Sequence, residues 1–150
     1  MTNDERYMRL ALAQAKRALV KEEVPVGAVV VSGGKIWGRG HNRSVGRNDP
    51  TAHAEIEAIR RACRTRKNYR LNDCDLYVTL EPCPMCLGAA VHARLKRIVY
   101  GASDAKAGAV RSVMRFPFRR LNHCPEIRGG LLARECGLVL KDFFRERRQK

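Results

Sequence analysis

No apolar run in this chain approaches the roughly 20 residues needed to cross a bilayer, which argues against a membrane-spanning helix. The opening residues Met1-Thr2-Asn3-Asp4-Glu5 are acidic and polar and lack the apolar stretch of a secretory signal, so a cytoplasmic protein is expected. Repeats, linkers and low-complexity tracts are also missing, which points to a single domain over residues 1–150, a size able to bury a core. Six cysteines without a signal sequence suggest a reducing compartment, where thiols serve metals or cores rather than disulfides. Acidic side chains are scarce. Fifteen Asp+Glu face thirty Lys+Arg, a net charge of +15 with an isoelectric point near 10.3. Such an imbalance draws in polyanions and favours phosphate backbones, although charge alone also fits a merely solubilising surface.

What is present reads as helices interleaved with strands. Thr2 to Glu5 forms a capping box that starts a helix running to about Lys21, with Met8, Leu12, Ala15 and Leu19 as its buried stripe. Pro25 ends it. Val26 to Val31 suits a strand covered on both faces, and Ser32-Gly33-Gly34-Lys35 turns the chain into a partner strand, Ile36 to Gly40. A polar loop, Asn42 to Pro50, leads to a helix opening near Thr51, with Ile56 and Ile59 facing inward. Leu76 to Leu80 is the next strand, and Pro84 suits the first turn of the helix after it. A strand follows at Arg97 to Gly101. The remainder predicts a short helix around Gly130 to Glu135, a brief strand at Leu138-Val139-Leu140 and a basic helix from Lys141. This alternation argues an α/β sandwich around one mixed five-stranded sheet.

Two short segments about thirty residues apart carry the chemistry: His53-Ala54-Glu55 and Pro82-Cys83-Pro84-Met85-Cys86. His53, Cys83 and Cys86 supply three zinc ligands, where a structural site normally uses four and a catalytic site leaves one position for water. Glu55, two residues from the histidine, is placed to move protons to and from that water. A lone Cys-x-x-Cys would be weak, as half of a structural site or a redox pair. The joint pattern, H-x-E followed by P-C-x-x-C, is the signature of the zinc nucleobase deaminases. Both segments start helices, where the dipole and free N–H groups lower thiol pKa values. The expected reaction is hydrolytic deamination of an amino-substituted heterocycle, with one zinc per subunit and Glu55 as proton shuttle. Cys63, Cys74, Cys124, Cys136, His41, His92 and His123 lie in no such spacing and read as core or surface residues.

Beyond these motifs, Glu23-Val24-Pro25-Val26-Gly27-Ala28, Asn42-Arg43, Asp49 to Ile56, Asn68 to Leu71, Leu76 to Cys83, Asp104-Ala105-Lys106 and Asp142 to Arg145 resemble the bacterial tRNA-specific adenosine deaminases. That family belongs to the cytidine deaminase-like superfamily, and the resemblance covers nearly the whole chain. It implies a three-layer α/β/α sandwich and conversion of adenosine to inosine at the wobble position of an arginine tRNA anticodon, making the chain a hydrolase of cyclic amidine C–N bonds. It also implies a homodimer. Asn42 matches a residue that bonds the flipped base, and the Ala54 backbone one that lies beside the water. Val26 would be a pocket wall, and Asp104 would contact the backbone next to the target. Without the resemblance, Val26 reads as core, Asp104 as a helix cap and Asn42 as a turn former.

Lys106, Phe144, Arg145, Arg147 and Arg148 are candidates for RNA contact, against the simpler reading of a charged helix face. The stretch from Arg111 to Arg120 departs from the family pattern in being unusually rich in arginine. Two other readings stay open: a free-base or nucleoside deaminase of cytosine, guanine or cytidine, and a non-catalytic RNA-binding subunit. The charge argues against the first, and Glu55 against the second.

Overall fold

The structure is a computed structural model that describes residues 1–149. Its elements are α1 (Asn3–Val20), β1 (Gly27–Ser32), β2 (Lys35–His41), α2 (Ser44–Arg47), α3 (Ala54–Arg66), β3 (Asp75–Leu80), α4 (Pro84–Ala93), β4 (Arg97–Ala102), β5 (Glu126–Arg128) and α5 (Ala133–Gln149), with a 3-10 turn at Phe118–Arg120. Five strands form one mixed sheet in the order β2-β1-β3-β4-β5. β1 runs antiparallel to β2 and β3, whereas β3, β4 and β5 are mutually parallel.

The alternation of each strand sorts its residues between two cores. Ala28 and Val30, Leu76 and Val78, and Ile98 and Tyr100 pack toward α3 and α4. Val29 and Val31, Tyr77, and Val99 pack toward α1 and the start of α5. The expected three layers result, with the central strands covered on both faces. Helix α1 begins as predicted, its Thr2 hydroxyl accepting from the Glu5 amide. Met8, Leu12 and Ala15 are buried, but Leu19, expected in the same stripe, is 37% exposed; the stripe continues through Ala11 and Ala18, so Ala18 takes the inward position of the last turn.

The C-terminal third corrects two expectations. Leu138-Val139-Leu140 is not a strand, and no separate short helix precedes it. One helix, α5, takes in the triplet and continues through the basic segment. Its buried residues are Cys136, Leu140 and Phe143, a helical repeat that leaves Leu138 exposed. The fifth strand is instead Glu126–Arg128, paired parallel to Arg97–Val99 of β4. A three-residue edge strand with charged ends has no apolar run to announce it. The loop expected from Asn42 to Pro50 holds the short helix α2, whose Val45 and Gly46 amides donate to the buried Glu23 carboxylate. Among the described residues no helix is long and apolar enough to cross a membrane.

Helix α3, which carries His53 at its start, is seated unusually close to the sheet. A Cβ on Gly40 would stand 2.5 Å from the Ala54 carbonyl oxygen, and one on Gly38 would stand 2.2 Å from that of Ala58. Side chains on that face of β2 would therefore hold α3 away from the sheet. Their absence lets the helix backbone rest on the strand and sets the position of the helix N-terminus.

Candidate active site

His53 is the N-cap of α3 and Cys83 the N-cap of α4, both in extended conformation, and neither side chain caps its own helix. Both side chains are therefore free to turn toward the junction between the two helices. Asn42 does the capping from outside, its Oδ1 accepting from the Ala54 amide at 2.8 Å. Its own backbone N–H donates to Val26 O at 3.2 Å. Val26, Asn42 and Ala54 are thus linked in one chain of hydrogen bonds beside His53, with Val26 and Ala54 buried. With Oδ1 engaged by the Ala54 amide, the donor that the Asn42 side chain has left to offer is its amide nitrogen.

His53 Nδ1 stands 3.6 Å from Cys83 Sγ and 3.6 Å from Cys86 Sγ. The nitrogen and sulfur atoms of all three residues lie within 4.8 Å of one another, and among the described residues this is the group that could hold a metal ion. Zn–S bonds of about 2.3 Å and Zn–N bonds of about 2.05 Å at tetrahedral angles would separate nitrogen from sulfur by about 3.6 Å. The donor set and its spacing fit a zinc ion. The three side chains are hydrogen-bonded to one another, and these bonds shift their pKa values. The Cys83 thiol is held down to about 4, first by the hydrogen bond from the Cys86 thiol and then by His53. Cys86 is pushed up as the donor in that bond and by burial, and His53 is raised chiefly by its bond to Cys83. A bound cation would displace these protons.

Glu55 lies in the first turn of α3, 4% exposed, and burial pushes its carboxyl up to about 7. Its neighbours include the sulfurs of Cys83 and Cys86. A group poised at neutrality beside the ligands can both accept and return a proton. His41, His92 and His123 stay outside the cluster. His123 bonds the Leu95 carbonyl, His41 contacts the Asn42 carbonyl, and His92 is exposed. Cys74 and Cys136 are core residues, while Cys63 is half-buried and Cys124 exposed.

A groove of about 710 Å³ is walled by Val24 and Leu80, which lie two and three residues before Val26 and Cys83 in the chain. Asp104, Lys106, Phe144, Arg147 and Arg148 all line it, so five residues from two distant segments meet there. The Lys106 ammonium sits 5.3 Å from the Phe144 ring centre, and the Arg147 guanidinium 5.1 Å from that of Phe143. Phe143 is buried and Phe144 is 39% exposed. Arg145 is not part of this groove; it points away and pairs with Asp142 at 2.7 Å. The Asp104 carboxylate is occupied locally, accepting from the Lys106 and Ala107 amides.

Sequence reasoning passed over Glu81, which organises the groove wall. This carboxylate is 2% exposed and accepts from the backbone amides of Asp104, Val110, Arg111 and Ser112. The Ser112 hydroxyl donates to it as well. Burial would raise its pKa, but the Arg111 amide and the other donors outweigh that and leave it below the ordinary value. Glu81 therefore ties the loop bearing Asp104 and Lys106 to the segment that delivers Cys83. A charged residue between an apolar strand and a cysteine motif was the available signal, but its partners lie 23 to 31 positions away.

Residues 2–148 match the MafB19-like deaminase family. A tRNA-specific adenosine deaminase of Haemophilus influenzae is 50% identical over 151 residues, covering 98% of this chain and 86% of that protein. A solved structure from work on A-to-I editing by tRNA:A34 deaminases at the wobble position of transfer RNA matches with a TM-score of 0.85 at 46% identity, covering 90% of this chain and 99% of that one. A guanine deaminase of Bacillus subtilis also matches, with a TM-score of 0.64 at 44% identity, over 69% of this chain and 66% of that one.

Proposed function

Since the chain belongs to the MafB19-like deaminase family and, within it, to the tRNA-specific adenosine deaminases, we infer that it hydrolyses adenosine to inosine at the wobble position of a tRNA anticodon. The observation that carries the chemistry is the meeting of one nitrogen and two sulfurs at two helix N-termini beside a buried carboxylate. The overall reaction consumes water and releases ammonia, so the protein must activate one water, protonate a ring nitrogen and protonate the leaving amine.

His53, Cys83 and Cys86 would hold the metal, which we take to be one zinc per chain. Bound there, zinc supplies Lewis-acid activation of a water at neutral pH. Glu55 takes the water's proton, passes it to the ring nitrogen and then assists departure of the amine. A cation beside Glu55 favours the carboxylate, the form needed for the first step. The side-chain amide nitrogen of Asn42 would donate to an acceptor on the base, while Val26 would form a wall and the Ala54 backbone would line the reacting end. A base must leave its stack to reach this point, and an anticodon loop nucleotide is among the least costly to extract. The groove with Asp104, Lys106, Phe144, Arg147 and Arg148 would take the neighbouring loop backbone. Arg145 contributes less, since Asp142 already neutralises it.

We take the chain as one cytoplasmic deaminase domain acting on an arginine tRNA. It would work as a homodimer through the outer face of α4. Apart from the backbone of its own helix and its chain neighbours, nothing among the described residues stands within 4 Å of where a Cβ on Gly88 would lie. That glycine opens onto a hollow of about 400 Å³ that includes Tyr69, Val91 and Phe116.

The test is incubation of the zinc-loaded protein with anticodon stem-loops carrying adenosine at the wobble position, scoring inosine. Free guanine and cytosine run in parallel, because the likeness to a guanine deaminase makes free guanine the competing substrate. Turnover of guanine but not of the stem-loop would reverse the assignment.

A further inference from the structure

The sheet edge remote from the RNA groove carries a second basic surface that the deamination chemistry does not use. β2 is the edge strand, and α3 lies across it. Ala54, Ala58 and Ala62 of α3 are buried, whereas Arg60, Arg61 and Arg64 are exposed on its outer side. From the strand, Arg39 is also exposed. Arg39, Arg61 and Arg64 converge on one groove of about 310 Å³, floored by Trp37 and Gly38 and bordered by Thr65. Two further cations sit over the Trp37 ring, Lys35 at 4.6 Å and Arg66 at 4.9 Å from its centre. No acidic residue lines the groove, and among the described residues Arg39, Arg61 and Arg64 take part in no salt bridge. Six other arginines (Arg9, Arg47, Arg66, Arg97, Arg128 and Arg145) are all paired with carboxylates. Like charges crowded in one groove repel one another, so an outside anion gains from entering it.

The position selects the anion. Arg61 and Arg64 follow Ala54 by seven and ten residues along α3, which at 1.5 Å per residue places them about 10 and 15 Å from the reacting end of the helix. A rigid helix thus links the groove directly to the site. Resting on the proposed action on tRNA, we propose that this groove binds the phosphate backbone of the anticodon stem of the same RNA whose loop enters the active site. Guanidinium groups grip phosphates through paired N–H bonds. The ring of Trp37 is covered by cations rather than open to a base, so the contact positions the stem without reading its sequence.

The experiment compares the zinc-loaded protein with the R39Q/R61Q/R64Q and R39K/R61K/R64K variants. Each is titrated at several salt concentrations with a full anticodon stem-loop and with a single-stranded loop oligonucleotide carrying the same adenosine. Loss of three phosphate contacts lowers the slope of log K against log salt by about 2 to 3. That decrease, with at least tenfold weaker binding at low salt, is expected for the Gln variant on the stem-loop only, and the Lys variant retains most of the slope. Turnover at saturation stays unchanged, since none of the three residues touches the reacting end. Unaltered stem-loop affinity and slope in the Gln variant overturn the proposal, as does an equal loss on the loop oligonucleotide, or a change of oligomeric state in place of RNA binding. Failure of the wild-type protein to deaminate the stem-loop would instead strike the tRNA assignment, and the binding difference would still score the groove.

Discussion

Replacing Glu81 by Gln should uncouple the groove of Asp104, Lys106 and Phe144 from the His53, Cys83 and Cys86 cluster while leaving both sets of residues in place. The change is nearly isosteric but removes the charge and one acceptor oxygen. Oε1 accepts from the Asp104 amide and the Ser112 hydroxyl, and Oε2 from the amides of Val110, Arg111 and Ser112. The Gln amide nitrogen will occupy the Oε1 position, because there the Ser112 hydroxyl can rotate to accept. The other orientation would face three N–H donors. Even so, the Asp104 amide is orphaned and the surviving bonds lose their charge assistance. An orphaned buried donor costs about 1–3 kcal/mol and the lost charge assistance adds to it, so about 3 kcal/mol is expected. For a chain of this size that corresponds to a drop of roughly 10 °C in the melting midpoint. The loop carrying Asp104 and Lys106 should loosen, raising KM for the stem-loop several-fold more than it lowers kcat, with zinc content unchanged. Differential scanning calorimetry, metal analysis and steady-state kinetics on the same sample measure all three. A midpoint within about 2 °C of the wild type, or an effect confined to kcat, would refute the reasoning.

Glu55→Gln should keep its metal and lose turnover by at least a thousandfold, whereas Cys83→Ala should lose the metal; zinc missing from the Glu55 variant would make that carboxylate a ligand. Gly40→Ala should cost about 1–3 kcal/mol by overpacking, since its Cβ would stand 2.5 Å from the Ala54 carbonyl; it should also lower kcat by displacing the α3 N-terminus, and a fully active, equally stable variant would contradict this seating of the helix. Arg147→Gln should weaken stem-loop binding more than Arg145→Gln, which is already paired with Asp142; equal effects would show that the ion pair does not matter. Asp4 lies below its ordinary pKa, first through its bond to Arg97, so it adds stability above about pH 4 that fades as pH falls through its lower folded-state value. Asp4→Asn should therefore be less stable than wild type near neutrality, with the gap closing as pH falls through the lowered folded-state value of Asp4 in pH-dependent urea unfolding.

The chemistry was legible because it is written locally. His53, Glu55, Cys83 and Cys86 occupy two segments whose spacing is that of a three-ligand metal site, the structure brings the nitrogen and two sulfurs together, and both segments carry helix-start signals that the structure bears out. Strands β1, β3 and β4 were equally readable, since each is buried along most of its length and leaves an apolar run in the chain, whereas the half-exposed edge strand β2 was announced by the Gly33-Gly34 turn before it. The last stretch misled for the converse reason. Leu138-Val139-Leu140 looks like a strand as a triplet, yet its place in α5 is set by the burial of Cys136, Leu140 and Phe143 against the sheet. The actual edge strand, Glu126–Arg128, has no apolar run and exists only because β4 offers it hydrogen bonds. Tertiary structure alone decided which charged residues work together. It brought Lys106 beside Phe144, turned Arg145 away to Asp142, gathered five donors on Glu81, and set three unpaired arginines in one groove. The sequence determined the reaction because a metal site needs particular side chains at particular spacings. It left the surfaces open because charge in a linear chain has no direction until folding gives it one.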